Sequence, residues 1–352
     1  MNARFAAILV VLLVVLGGGA LLYRAQEAGR QPQNAAQLGQ PLLKNLKAAD
    51  IAAIRFVEPG ATLTLERKGE GWAIVERGGY PADVARVREF VVKLLGLKVG
   101  QTEPIGDKDR ARLNLDQSGT QVEFKAADGK PLGALTVGKK YFRGEVENPD
   151  KARADARFVA VPDGAATAYL VSDPLSEATT RSRQWIDHAS FQVEKVKALE
   201  VRWPDGSGWK IERAADNADW KLAHAKPGEK PDVPRANAAS YSLSLLEIAD
   251  VAPAEAKDTG LDKPIQVNAT TLDGLAYQIK VGRAEGDDYY VRFSSSGTVA
   301  AKESDERIKK LVERLPRDRL QSEHVLLIPK SKLEDTLKPR AELLEKKPAA
   351  KK

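Results

Sequence analysis

Three histidines, His188, His224 and His324, are the first residues to test for chemistry, because imidazole serves both as general base and as metal ligand. They lie in separate segments, with no His-Glu-x-x-His pair, so a zinc site would need ligands brought together from afar. Asp187-His188 has two members of a nucleophilic triad. Adjacent residues point in different directions, however, and do not form the triad hydrogen bond by default. A hydrolase would need Asp187, His188 and a serine to converge through the fold. The chain has no cysteine, which removes disulfides, thiolate nucleophiles, sulfur-ligated zinc and a lipidated cysteine anchor.

No Gly-x-Ser-x-Gly elbow or glycine-rich phosphate loop is present. Gly206-Ser207-Gly208 reads as a turn, and Ser294-Ser295-Ser296-Gly297 as a hairpin loop after a strand. Asp287-Asp288 lacks the spaced ligands of a calcium loop and reads as a solvated turn. Asn268-Ala269-Thr270 matches a glycosylation sequon but falls in the middle of an expected strand. Tyr80, Trp185, Tyr289 and Tyr290 could line a groove, although aromatics at strand ends more often pack a core. We therefore assign no catalytic, cofactor-binding or metal-ligating residue and no cofactor, and expect a protein that is not an enzyme.

The elements that carry these residues come in two similar sets. Leu65-Glu66-Arg67 recurs as Ile211-Glu212-Arg213, each followed by a tryptophan, Trp72 and Trp220. Leu94-Leu95-Gly96-Leu97 is matched to Leu245-Leu246-Glu247-Ile248, Leu115-Asp116 to Leu261-Asp262, and Asp128-Gly129 to Asp273-Gly274. Val137-Gly138-Lys139 returns as Val281-Gly282-Arg283. One order at one spacing predicts a duplicated domain.

In the first set, alternation predicts strands at 51–57, 62–67 and 71–76, joined by glycine turns. A helix should open at Pro81 and bury Val84, Val87, Phe90, Val91, Leu94 and Leu95 before Gly96. A short helix at 107–113 and strands at 121–125, 132–137 and 157–161 complete the set, the last closing the sheet. The second set predicts strands at 197–203, 209–213, 220–224, 265–270, 277–281 and 289–293, the last of them final. Its helices should start at Pro234 and cover 308–315. The expected class is α+β, with two tandem, mainly antiparallel domains, each with one main helix, behind an N-terminal transmembrane helix. The boundaries are 1–24 for a transmembrane anchor or signal peptide, 25–44 for a tether, 45–186 and 187–325 for the repeats, and 326–352 for a charged tail, frayed or disordered after Pro339.

Residues 5–23 run without a charge between Arg4 and Arg24, long enough to span a bilayer as a helix. The preferred reading is an uncleaved single-pass anchor, amino terminus inward and body outward. A cleaved signal peptide is the alternative, since Gly18 and Ala20 suit cleavage, but Leu21-Leu22-Tyr23 prolongs the apolar run. A body left in the cytoplasm is the third. Formal net charge is +6, and residues 332–352, with seven basic and four acidic side chains, supply half of it. No concentrated basic stripe with stacking aromatics remains, which argues against nucleic acid as partner. Lys346, Lys347, Lys351 and Lys352 could touch anionic lipid but read more simply as a solubilising end.

Tyr80-Pro81-Ala82-Asp83, Trp185-Ile186-Asp187, Gly260-Leu261-Asp262-Lys263-Pro264 and Asp288-Tyr289-Tyr290-Val291 resemble the bacterial family called domain of unknown function 4340, over roughly residues 45–325. In the first set the Gly-Leu-Asp block becomes Asn114-Leu115-Asp116-Gln117-Ser118. The resemblance implies a fold but no catalytic residues, and a membrane-tethered protein in the company of ABC-type transport systems of the gliding-motility kind. The expectation is thus a non-catalytic, membrane-anchored accessory or scaffold protein, a single-pass protein of the bacterial inner membrane with its body in the periplasm. ABC-type transporter subunits are its expected partners. The alternative is an envelope glycan or lipid binding module with a site between the two repeats, marked by a cleft near Trp185.

Overall fold

A computed structural model describes residues 17–19, 38–162, 166–299 and 305–345. The apolar run at 5–23 and the polar stretch behind it fall almost wholly outside these residues, as does the basic end at 346–352. Among the described residues no helix is long and apolar enough to cross a membrane.

The first half contains β1 (Ala53–Glu58), β2 (Ala61–Lys68), β3 (Gly71–Ile74), β4 (Tyr80–Pro81), α1 (Val84–Leu95), β5 (Gln101–Pro104), α2 (Asp107–Arg112), β6 (Thr120–Lys125), β7 (Pro131–Tyr141), β8 (Ala156–Ala160) and β9 (Thr167–Val171). The second half follows with β10 (Val196–Arg202), β11 (Gly208–Glu212), β12 (Lys221–Leu222), α3 (Val233–Tyr241), β13 (Asp250–Val251), β14 (Ile265–Thr271), β15 (Leu275–Glu285) and β16 (Asp288–Gly297). The chain then runs through α4 (Glu306–Ser322), β17 (Leu326–Pro329), α5 (Lys330–Leu333) and α6 (Arg340–Leu343). The strands form two antiparallel sheets, so the protein is a mixed α and β fold.

The chain divides into two compact units that interleave along the sequence. One unit holds Met1–Ala48, Val92–Gln121 and Gly133–Ser176; the other holds Ala49–Val91, Val122–Leu132 and Glu177–Lys352. In the second of these the strands run β4-β3-β2-β1-β6, and in the first they run β7-β8-β9-β5. The second-half sheet repeats both orders, as β12-β11-β10-β14 followed by β15-β16-β17-β13, lacking only a partner for β4.

Register agrees in detail. Ile54 faces Leu65 as Leu199 faces Ile211, all four fully buried. Both halves break register two strands later, between Val137 and Lys140 and between Val281 and Ala284. Beside each bulge sits a glycine, Gly138 or Gly282, against the carbonyl of Leu113 or Thr259. Those carbonyls accept from the next amide, Lys139 at 2.8 Å and Arg283 at 2.9 Å. A Cβ on either glycine would overlap the carbonyl. The following turn residue is left-handed in both halves, Asn114 at φ 54 and Gly260 at φ 72.

Several expectations change. The helix does not open at Pro81, which pairs in β4 with Ala73. Asp83 caps α1 instead, its carboxylate accepting from the amides of Ala85 and Arg86. The leucine match shifts by two residues. Buried Val87, Phe90, Leu94 and Leu97 correspond to Ala236, Ala239, Leu243 and Leu246, and Leu245 is 45% exposed. Backbone bonds agree, since Leu42 donates to Leu97 as Phe191 donates to Leu246. Matching leucine pairs by eye could not tell which leucine turned inward.

Neither closing strand is the last. β9 and β5 extend the sheet beyond β8, and β17 and β13 extend the other beyond β16. Ser294 to Gly297 are not a hairpin loop but the end of β16, paired with β15. The second half carries more than one main helix: α4 has 17 residues against 9 in α3, and it continues through Pro316. The region read as a charged tail is folded to residue 345. Leu333, Thr336 and Leu343 are buried, and the Lys338 carbonyl accepts the indole N–H of Trp209 at 2.8 Å.

Candidate functional site at the junction of the two halves

Residues 177–193 link the halves, and the side chains that could do chemistry gather around them. Trp185 is 1% exposed, stacked on Phe56 at 5.1 Å and edge-on to Phe90 at 5.3 Å. Its indole N–H donates to Thr179 at 3.1 Å. The backbone on either side joins the first half like an added strand: Asp83 donates to Trp185 at 2.7 Å and Asp187 to Pro81 at 2.9 Å. The position expected to mark a cleft is therefore filled by packed rings.

Tyr80, the same pairing's neighbour, is buried, and its hydroxyl donates to the Asp187 carbonyl at 3.2 Å. Burial pushes its phenol far above the usual range. Gln321 of α4 donates to Ala189 at 2.8 Å and reaches the Tyr80 hydroxyl at 3.5 Å. One helix of the second half thus touches a side chain of the first.

Asp187 and His188 do not bond to each other. The Asp187 carboxylate accepts the Ala189 amide at 2.9 Å. The His188 nitrogens lie 2.8 Å from the Ile248 carbonyl and 2.7 Å from that of Arg183. The nearby serine, Ser182, donates to Asp250 at 2.8 Å. These three groups are each engaged elsewhere, so they form no triad here. His224 is exposed with left-handed backbone, φ 53. His324 lies edge-on to Tyr80 at 5.2 Å, and burial lowers its pKa.

Asp288 is buried and paired with Arg183 at 2.5 Å; it belongs to β16 rather than to a solvated turn. Tyr289 and Tyr290 sit beside cations, Lys330 at 5.9 Å and Arg283 at 5.3 Å from the ring centres. Asn268 lies in β14, reaching Glu200 at 3.4 Å. Among the described residues no three His, Asp or Glu side chains are placed to hold a metal ion.

Sequence reading missed the polar residues that tie this junction. Asp250 in β13 accepts from Ser182 and lies 4.0 Å from Arg77 of the first half. The inner face of α4 carries buried Asp318 and Gln321 and the largely covered side chain of Arg314. Arg314 donates to the Gln192 carbonyl at 2.9 Å and to Asp318 at 3.3 Å. Burial raises the pKa of Asp318, one of whose oxygens has no partner. The only signal available was polar residues at helical spacing, which normally mark a solvated face.

The family model described as "Domain of unknown function (DUF4340)" matches residues 72–264, more than half of the 352-residue chain, and the chain belongs to that family. No curated protein matches the chain, and no solved structure does.

Proposed function

We propose that this DUF4340 protein is a non-catalytic scaffold made of two copies of one domain, held outside the cytoplasmic membrane by its N-terminal apolar segment. One observation carries the reading. The polar and aromatic groups that a catalyst would aim at a substrate instead fasten one half to the other: Tyr80, Trp185, Asp187, His188 and Asp288 all bond or pack within the junction. A body built this way serves as a firm platform for other proteins.

The uncharged run at 5–23 supports the membrane placement, in a bacterial inner membrane with the body in the periplasm. The partners we propose are the permease and ATPase subunits of an ABC-type transporter, from the company that resembling proteins keep. Cross-linking in cells, followed by affinity purification of the tagged full-length chain from membranes, tests this. Co-purifying permease and ATPase subunits is the expected result; recovering neither would overturn the partnership.

A further inference from the structure

Within the second half, the end of α3, the start of β10 and the turn after β11 surround an open hollow of about 310 Å³. That volume is at the small end of ligand pockets, about 300–1,000 Å³. Its walls are part polar and part apolar: Lys195, Arg213, Asp216, Ser240, Tyr241 and Arg307 face it beside Val193 and Val196.

The cations there are already matched. Lys195 bonds Asp216, Arg213 donates to the same carboxylate at 2.8 Å, and Arg307 grips Asp273 through two bonds of 2.6 and 2.7 Å. The bond from Lys195 holds the Asp216 carboxyl below the usual range. An anion would find no unpaired positive charge and would have to break one of these pairs. The Lys195 ammonium nonetheless has more donors than Asp216 takes, and the carboxylates have lone pairs to spare. The hollow therefore offers fixed donors beside fixed acceptors with little net charge.

Two side chains mark it. Ser240 is 3% exposed and lines the hollow, and no described residue bonds its hydroxyl. Tyr241 is 60% exposed at the rim, which leaves its ring open to contact.

The first half shows that the fold does not require either residue. Its helix carries Val91, Val92 and Leu95 where α3 and the following turn carry Ser240, Tyr241 and Ser244. The arginine and tryptophan behind them are kept, Arg67 over Trp72 at 5.3 Å and Arg213 over Trp220 at 4.6 Å. Three hydroxyls have replaced three aliphatic side chains on an otherwise matching scaffold.

We propose that this hollow is a binding subsite for one or two units of an uncharged saccharide, stacked on Tyr241 and bonded by Ser240 and the Lys195–Asp216 pair. Sugar hydroxyls both donate and accept, which suits fixed charge pairs, and the C–H face of a pyranose covers an aromatic ring. The inference does not depend on the scaffold reading, since a tethered scaffold and a free domain could both hold a glycan.

Saturation-transfer NMR on the full-length protein, in a detergent without a sugar head group, tests it with chitobiose, cellobiose and maltose, and with inorganic phosphate as a contrasting probe. Saturable transfer from at least one disaccharide is expected, weakened about tenfold or more by Tyr241→Ala. Ser240→Val, which restores the first-half residue type, should weaken it as well. Tyr241 is exposed, so its variant should fold, which circular dichroism checks. No transfer to any of the three sugars, binding of phosphate instead, or sugar binding untouched by both variants would each overturn the proposal.

Discussion

The two halves share a sheet order, a bulge and a glycine beside it, but they differ in what has been added. The first half has a longer connection between β7 and β8, residues 142–155, where the second turns in two residues. The second half inserts α4 between β16 and β17 and closes with the segment carrying α5 and α6. The common part is apolar sheet and helix, which fold by burying surface. The additions bury polar groups as well as apolar ones: Arg314, Asp318 and Gln321 turn inward beside Ile308 and Leu311, while Val312 and Leu320 of the same helix stay half exposed. The shared part supplies the architecture, and the unlike parts add to the fastening.

The largest expected effect concerns what joins the halves. Trp185→Ala should cost about 3–5 kcal/mol in denaturant unfolding, because the ring lies in a packed trio with Phe56 and Phe90. A loss below 1 kcal/mol would mean that the junction is not a shared core.

The likeness of the halves is sharpened by paired variants. Gly138→Ala and Gly282→Ala should each cost about 1–3 kcal/mol, since each new methyl meets a carbonyl that already accepts a hydrogen bond. If one were neutral in thermal unfolding, the two bulges would not be structural equivalents.

Their unlikeness is measured by the two arginines. Arg213→Met should cost about 1–3 kcal/mol because it removes the buried bond to the Val196 carbonyl and one of the two cations on Asp216. Arg67→Met, at an exposed site, should cost under about 1 kcal/mol. Equal losses in chemical denaturation would contradict the burial difference.

The smallest effect is in pH dependence. Burial raises the folded-state pKa of Asp318 above its unfolded value. Its favourable contribution is therefore complete below the unfolded pKa and is lost as pH rises through the folded one. Asp318→Asn should flatten that decline when urea midpoints are compared across the acidic to neutral range. An unchanged slope would remove Asp318 as its source.

Much of the repeated sheet was legible because one face is buried, and Leu63 and Leu65 alternate with polar residues as such a strand must. β5, reading Gln-Thr-Glu-Pro with scarcely any burial, had no pattern to find and exists through its pairing with β9. β13, a two-residue edge strand, likewise exists through its pairing, with β17. α4 ran past its expected end because Pro316 is on the exposed side, where the carbonyl it leaves unbonded can turn to water. The junction was legible in its aromatic member, Trp185, but not in Asp250 or Gln321, whose partners lie far away in sequence. Long-range polar pairing leaves no periodic trace.

The placement of the body is the claim on which the scaffold reading depends. Proteolysis of intact spheroplasts expressing the full-length chain tests it directly, with a cytoplasmic protein as integrity control. The account expects the body to be digested while the control survives. A body protected until the membrane is opened would contradict it.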